Sequence, residues 1–265
     1  MRRLAVYILI AVASVIALFF VTDAVLAGLL TGAVTGLIIP IGDRVSGNSG
    51  YLKLSAQSVR YRKRYVRLSI SYLIRIEIDG KYLLLRGRRI PNQFQPAGGV
   101  YKFNQTIRDR FNSWGVLSDN LIPIDDVSAD DLRIRIRGQY LPRFMKWFDS
   151  GKNREVGIWR EFSEELIDTG ILSAENFKSI KFDFVRKHVD SLQYSEYSNG
   201  LEMLVAHVFE LLPTAGQVQE LRALKQRGGT DAAQWCSEDR IRRRGVEPGE
   251  SYTYSVSRTA EWLLS

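Results

Sequence analysis

The sequence predicts a mixed α/β domain carried behind a long apolar N-terminal segment. Three observations predict it. Residues 4–41 hold a single charge, Asp23. Residues 68–89 and 130–139 alternate apolar and polar positions with the period of strands. Residues 155–168 place Ile158, Phe162 and Leu166 at helical spacing, with Trp159 a further candidate for that face. Strands and helices thus interleave in a chain of 265 residues, long enough for one sizeable domain with extra elements.

The N-terminal run divides at Thr22-Asp23 into 4–21 and 24–41, each just long enough to span a bilayer. Basic residues stand on both outer flanks: Arg2 and Arg3 before the first half, Arg44 and the run 60–67 after the second. A two-helix hairpin with both termini in the cytoplasm satisfies both flanks. A cleaved signal peptide ending near "VLAG" is the competing reading. Against it, the chain stays apolar well beyond that point, and so long an apolar run exceeds an ordinary buried helix. Gly28, Gly32 and Gly36 fall at four-residue spacing, which suits close helix packing and self-association, although glycine is also simply common in membrane helices. The expected organisation is therefore a membrane hairpin over 1–42, a basic juxtamembrane linker over 43–67 and a cytosolic domain over 68–265. "GDRVSGNSG" reads as a flexible linker, and "RYRKRYVR" suits the phosphates of an acidic leaflet better than a nucleic-acid polymer.

Within the cytosolic part, 68–89 reads as a β-hairpin turning at Asp79-Gly80, a pair that accepts positive φ. "QPAGGV" follows as a loop whose Gly98 and Gly99 allow a ligand close to the backbone. Residues 130–139 form a strand with Arg133, Arg135 and Arg137 on its polar face, and 155–168 a helix that Gly170 ends. Residues 201–212 are a buried strand stopped by Pro213, and "TAEWLL" is a short amphipathic helix. One cysteine, Cys236, excludes an internal disulfide and fits a reducing compartment. With only His188 and His207 beside it, the chain is poor in ligands for a structural zinc cluster, so a metal site is expected to be built from carboxylates, which means magnesium, manganese or calcium. His207, in an apolar strand, reads as a core histidine. The net charge of +8 favours anionic partners.

Chemistry concentrates in "WREFSEELIDTG", 159–170. Glu161, Glu164 and Glu165 stand at i, i+3 and i+4, on one helix face, where like charges repel. A hard cation such as Mg²⁺, an arginine such as Arg160 or Arg154, or plain solvation would relieve them. "REFSEE" matches the R-E-U-x-E-E core of the Nudix box (U apolar). A hairpin, a P-x-G-G-like loop at 96–99 and then this helix follow the order of Nudix domains, and "AHVFELLPT" also looks like the family. Over about 68–225 the chain resembles that family, which implies a Nudix-like α/β/α sandwich. It also implies catalytic or metal-binding roles for Arg160, Glu161, Glu164 and Glu165. The departures are an insertion at about 100–150, Lys152 in place of the expected upstream glutamate, with Glu155 nearby in another helical phase, and three extra residues before Gly170. Such a box suits binding a diphosphate better than hydrolysing it.

The N-terminal hairpin, basic linker and altered Nudix domain together resemble the two-transmembrane NUDIX effectors of cyclic-oligonucleotide anti-phage signalling. That resemblance implies an inner-membrane effector with a cyclic nucleotide ligand, a lipid bilayer as target and assembly into a homo-oligomer. Nucleotide contacts are expected from Arg86, Arg88, Arg89, Gly98 and Gly99, with Mg²⁺ the candidate cofactor. The arginine-bearing strands also read simply as solvated faces. A membrane-anchored Nudix hydrolase of nucleoside diphosphate derivatives is the alternative, and a structural membrane protein with a lapsed domain is a third reading.

Overall fold

The computed structural model describes residues 2–18, 20–21, 26, 30, 49–87, 90–121, 128, 130–155, 157–246, 249 and 254–264. Helix α1 spans Arg2–Leu18, 17 residues, and among the described residues no helix is long and apolar enough to cross a membrane. Within the expected first span over 4–21 the described helix ends at Leu18. The second, 24–41, lies outside the described residues apart from Leu26 and Leu30, as do Gly28, Gly32 and Gly36. Helix α2 (Ser49–Arg60) occupies much of the expected basic juxtamembrane linker over 43–67, meeting the flexible stretch 42–50 only at its end, and it packs Leu54 into the domain core. The domain therefore begins earlier than residue 68.

The strands follow as β1 (Tyr65–Arg75), β2 (Glu77–Ile78), β3 (Lys81–Arg86), β4 (Gln93–Gln95), β5 (Ala97–Val100) and β6 (Lys102–Phe103). Helix α3 (Arg108–Ser113), β7 (Leu117–Ser118), β8 (Arg133–Arg137), α4 (Leu141–Asp149) and β9 (Arg154–Glu155) come next. Helix α5 (Ile158–Phe162) runs straight into a π-helical turn, Ser163–Ile167. The remainder is β10 (Phe182–Val189), β11 (Gln193–Ser195), β12 (Gly200–Leu211), α6 (Ala215–Gln226), β13 (Ala233–Ser237), α7 (Glu238–Arg242), β14 (Ser255–Val256) and a 3₁₀ helix, Arg258–Leu263.

Strand β1 is the centre of the molecule. Its alternate residues Val66, Leu68, Ile70 and Tyr72 are fully buried, and hydrogen bonds run along both edges. The large sheet is ordered β10-β12-β1-β8-β7, with β5 also on β1 and β11 on β12. The β1–β12 pairing is parallel and joins residues 135 positions apart, from Val66 opposite Leu201 to Arg75 opposite Glu210. A second sheet is ordered β13-β3-β4-β14, with β2 on β3. The expected hairpin over 68–89 is therefore corrected. The turn is real, with Asp79 at φ 48° and Gly80 at φ 72°, but it joins only β2 to β3. The longer strand before it belongs to the other sheet.

The expected insertion at 100–150 is not an appendage. It supplies β8 to the large sheet, and α4 contributes Leu141, Phe144, Trp147 and Phe148 to the core over β1. Helix α4 has a clear apolar face and Pro142 in its first turn, where a missing N–H costs nothing. A second core lies under α5, the π turn and α6, which is closed by a Thr214–Gln217 capping box. A third core packs the opposite face of the large sheet against Trp262, Leu263 and Leu264. His207 is buried, as expected, and so is Cys236.

Candidate functional site

The site forms where β5 crosses the start of the glutamate segment. Gly98 and Gly99 lie in a strand paired with Leu73 and Tyr72 rather than in an open loop. Gly98 has φ +148°, and a side chain there would meet the Tyr72 carbonyl at 2.1 Å. Its N–H donates to Glu165 Oε2 at 2.9 Å. A Cβ on Gly99 would come within 2.6 Å of the Glu161 side chain. Both glycines are needed because the carboxylate segment packs directly onto the strand.

Helix geometry then separates the glutamates. The backbone widens after Phe162, and Asp168 N–H reaches back five residues to Ser163 at 2.8 Å. Phe162 and Leu166 stay buried on the inner side, Phe162 against Phe177 and Phe182. Ile158 is half-buried, and Trp159 is corrected to an exposed position. Glu161 and Glu165 turn toward β5. Glu164, its side chain 47% exposed against 19% for Glu161, turns to solvent. Arg160 bridges two of them, at 3.0 Å to Glu161 and 3.4 Å to Glu164. Arg154 does not serve them: its guanidinium lies 4.9 Å from the centre of the Tyr101 ring and 4.2 Å from that of Phe148. Lys152 is exposed, and Glu155 sits on β9 opposite Lys102.

Electrostatics single out Glu161. Burial pushes its carboxyl above the usual range and Glu164 adds to this, while Arg160, Lys102 and Arg133 oppose it. Asp131, also raised by burial, feels the same charges and is held by Arg133 at 3.3 Å. The Tyr72 hydroxyl is buried without a hydrogen-bond partner, and burial together with Glu161 pushes its pKa up. Asp131 and Tyr72 were missed by sequence reasoning because only the fold brings β1 and the segment before β8 to the helix. Behind Tyr72, the Tyr101 hydroxyl lies 2.6 Å from His207 Nδ1, and burial depresses His207 to about 4.

Among the described residues no three His, Cys, Asp or Glu side chains group closely enough to hold a metal ion. Glu161 and Glu165 supply hard oxygens beside β5, but one is salt-bridged and the other accepts a backbone N–H. That pair fits Mg²⁺ only as an ion that keeps its waters and arrives with phosphate oxygens. Of the nucleotide candidates, Arg86 donates to the Asp231 carbonyl at 2.6 Å and lies over Phe94, in the second sheet. Arg88 and Arg89 lie outside the described residues.

A glycine strand clamped on an R-E-x-x-E-E helical segment, over a mixed sheet, defines a Nudix-type domain. The chain belongs to the SMODS-associated NUDIX domain family, whose model matches residues 65–264. Membership associates it with CBASS-type defence systems. No curated protein matches the chain. Among solved structures it is similar to the solution structure of the E. coli ORF135 protein, at 15% identity. That likeness covers 75% of this chain and 87% of the other, at a TM-score of 0.28.

Proposed function

We propose that this protein is a signal-responsive effector of CBASS-type anti-phage defence. Its NUDIX domain binds a cyclic nucleotide second messenger, and its apolar N-terminus then assembles in the inner membrane and breaches it. The supporting observation is the state of the carboxylates. Glu161 is tied to Arg160, Glu165 to the Gly98 amide, and Glu164 faces out. A hydrolase must gather such oxygens around a metal that clamps phosphates and activates water. Carboxylates committed to internal partners instead make a shaped, charged surface that meets phosphates only through a cation. A Mg²⁺ ion held by Glu161 and Glu165 would serve to dock phosphates there.

Growth, dye entry and oligomer size in cells making the full chain with a cyclic-nucleotide synthase test this reading. Toxicity that needs both the synthase and residues 1–42 supports it. Rapid turnover of the nucleotide with an intact membrane would favour the anchored hydrolase. Labelling of a cysteine placed after residue 45 from outside intact spheroplasts would reject the two-pass topology.

A further inference from the structure

The large sheet has a second face, turned away from the glutamates. On β10, Lys187 pairs in register with His207 on the glutamate side. Arg186 and His188 pair with Val208 and Ala206, which belong to the third core, so they project to the opposite side. There α7 and the C-terminal 3₁₀ helix leave a cleft of about 460 Å³. That volume suits a nucleotide-sized ligand.

Four guanidinium groups line the cleft: Arg186, Arg242, Arg244 and Arg258. Two carboxylates, Asp190 and Glu261, line it as well, so four charges minus two leave an excess of two positive charges. Arg258 pairs with Asp190, and Arg244 with Glu261 at 3.0 Å. Arg186 donates to a neutral acceptor, the Trp262 carbonyl, at 2.9 Å. Arg242 reaches outward to the exposed Glu238 at 2.5 Å. One wall is a flat aromatic pair, with the His188 ring stacked on Trp262 at 4.3 Å and 23°. Arginines needed only to pin the C-terminal helix would be matched by carboxylates in the cleft, and two of these are not.

We infer that this cleft is a second anion site, which takes a small molecule bearing a diphosphate group. Planar guanidinium forks match phosphate oxygens in pairs, and Arg186, held by a neutral carbonyl, and Arg242, held by an exposed carboxylate outside the cleft, can both turn to phosphate. The inference goes beyond the function proposed above, since it needs nothing of the glutamates.

The test titrates the full chain in detergent, without Mg²⁺, with ADP and separately with inorganic pyrophosphate, by calorimetry at low and at physiological ionic strength. Saturable binding that weakens with salt is expected. Arg186→Gln and Arg242→Gln should each weaken it about tenfold or more, the size of one lost charge-assisted contact. The pair Glu161→Gln with Glu165→Gln should leave it unchanged. Tighter binding of ADP assigns the site to nucleotides, and equal binding assigns it to the diphosphate group alone. If Arg186→Gln does not fold, Arg242→Gln, altered on an exposed helix, carries the test. No binding, affinity unchanged in the foldable arginine variants, or affinity lost in the glutamate pair would overturn the inference. Failure of cyclic-nucleotide binding at the glutamate face would not affect this result.

Discussion

Glu161 is held against Gly99 in half-buried surroundings that favour its neutral form, burial first and Glu164 second. A carboxyl whose folded pKa is raised stabilises the fold below its ordinary value, and that stability is lost as pH rises through the folded value. At neutral pH its charge is therefore a cost, unless a cation offsets it. Glu161→Gln should raise the thermal midpoint slightly without Mg²⁺, by a few tenths of a kcal/mol for each like-charge pair relieved. The same change should abolish any Mg²⁺-dependent rise. Thermal shift with and without Mg²⁺ checks both, and a metal response surviving in the variant would return the segment to an ordinary charged surface. His207 gives the opposite case. Burial holds it neutral, with its pKa near 4, while the unfolded chain protonates near the ordinary histidine value. Stability is complete above that ordinary value and falls as pH drops toward 4, by up to about 3 kcal/mol at about 1.4 kcal/mol per unit. His207→Phe should flatten this dependence in urea unfolding series, at the cost of the Tyr101 hydrogen bond.

At the scale of elements, junctions decide what each strand and helix does. Gly98→Ala would drive a Cβ into the Tyr72 carbonyl and strain a φ that favours glycine. It should cost roughly 1–3 kcal/mol and loosen the glutamate segment from β5, read as faster amide exchange at residue 98. Strands β1 and β12 and the segment after β7 are joined by a buried ionic knot. Arg67 contacts Asp119 at 2.7 Å and Glu202 at 2.6 Å. Burial opposes ionisation of Asp119, but the Arg67 bonds and charge outweigh it and hold its pKa below the usual range. Asp119 therefore stabilises the fold above its ordinary value and stops doing so as pH falls through the lowered one. Asp119→Asn leaves Arg67 short of a counter-charge and should cost about 3 kcal/mol in chemical denaturation. These junctions also mark what the sequence could disclose. Strand β12 was legible because its apolar run stops at Pro213, β8 because its arginines alternate, and the turn at 79–80 because of its residue pair. The division of 68–89 between two sheets was not, since both halves share one period and β1 finds its parallel partner only across the fold. The π turn was hidden because Phe162 and Leu166 keep a helical spacing through it. Asp131 and Tyr72 were hidden because nothing local links them to the glutamates.

At the scale of the molecule, one mixed sheet carries two charged surfaces. The glutamates lie over one face, near the β5 crossing, and the arginine cleft over the other, beside the C-terminus. Helix α2, which packs Leu54 into the domain, is the first described element after the N-terminal segment. A ligand can act on the N-terminus only through a difference in its affinity between resting and assembled states. Bringing domains together raises the effective concentration of the apolar segments, so weak contacts between them become sufficient. The most direct test of the central claim is equilibrium dialysis of the full chain in detergent against labelled cyclic di- and trinucleotides with Mg²⁺, the bound ligand being recovered and separated. The account predicts saturable retention of one such nucleotide, recovered intact. Recovery of cleaved product, or no retention of any cyclic nucleotide, would contradict it.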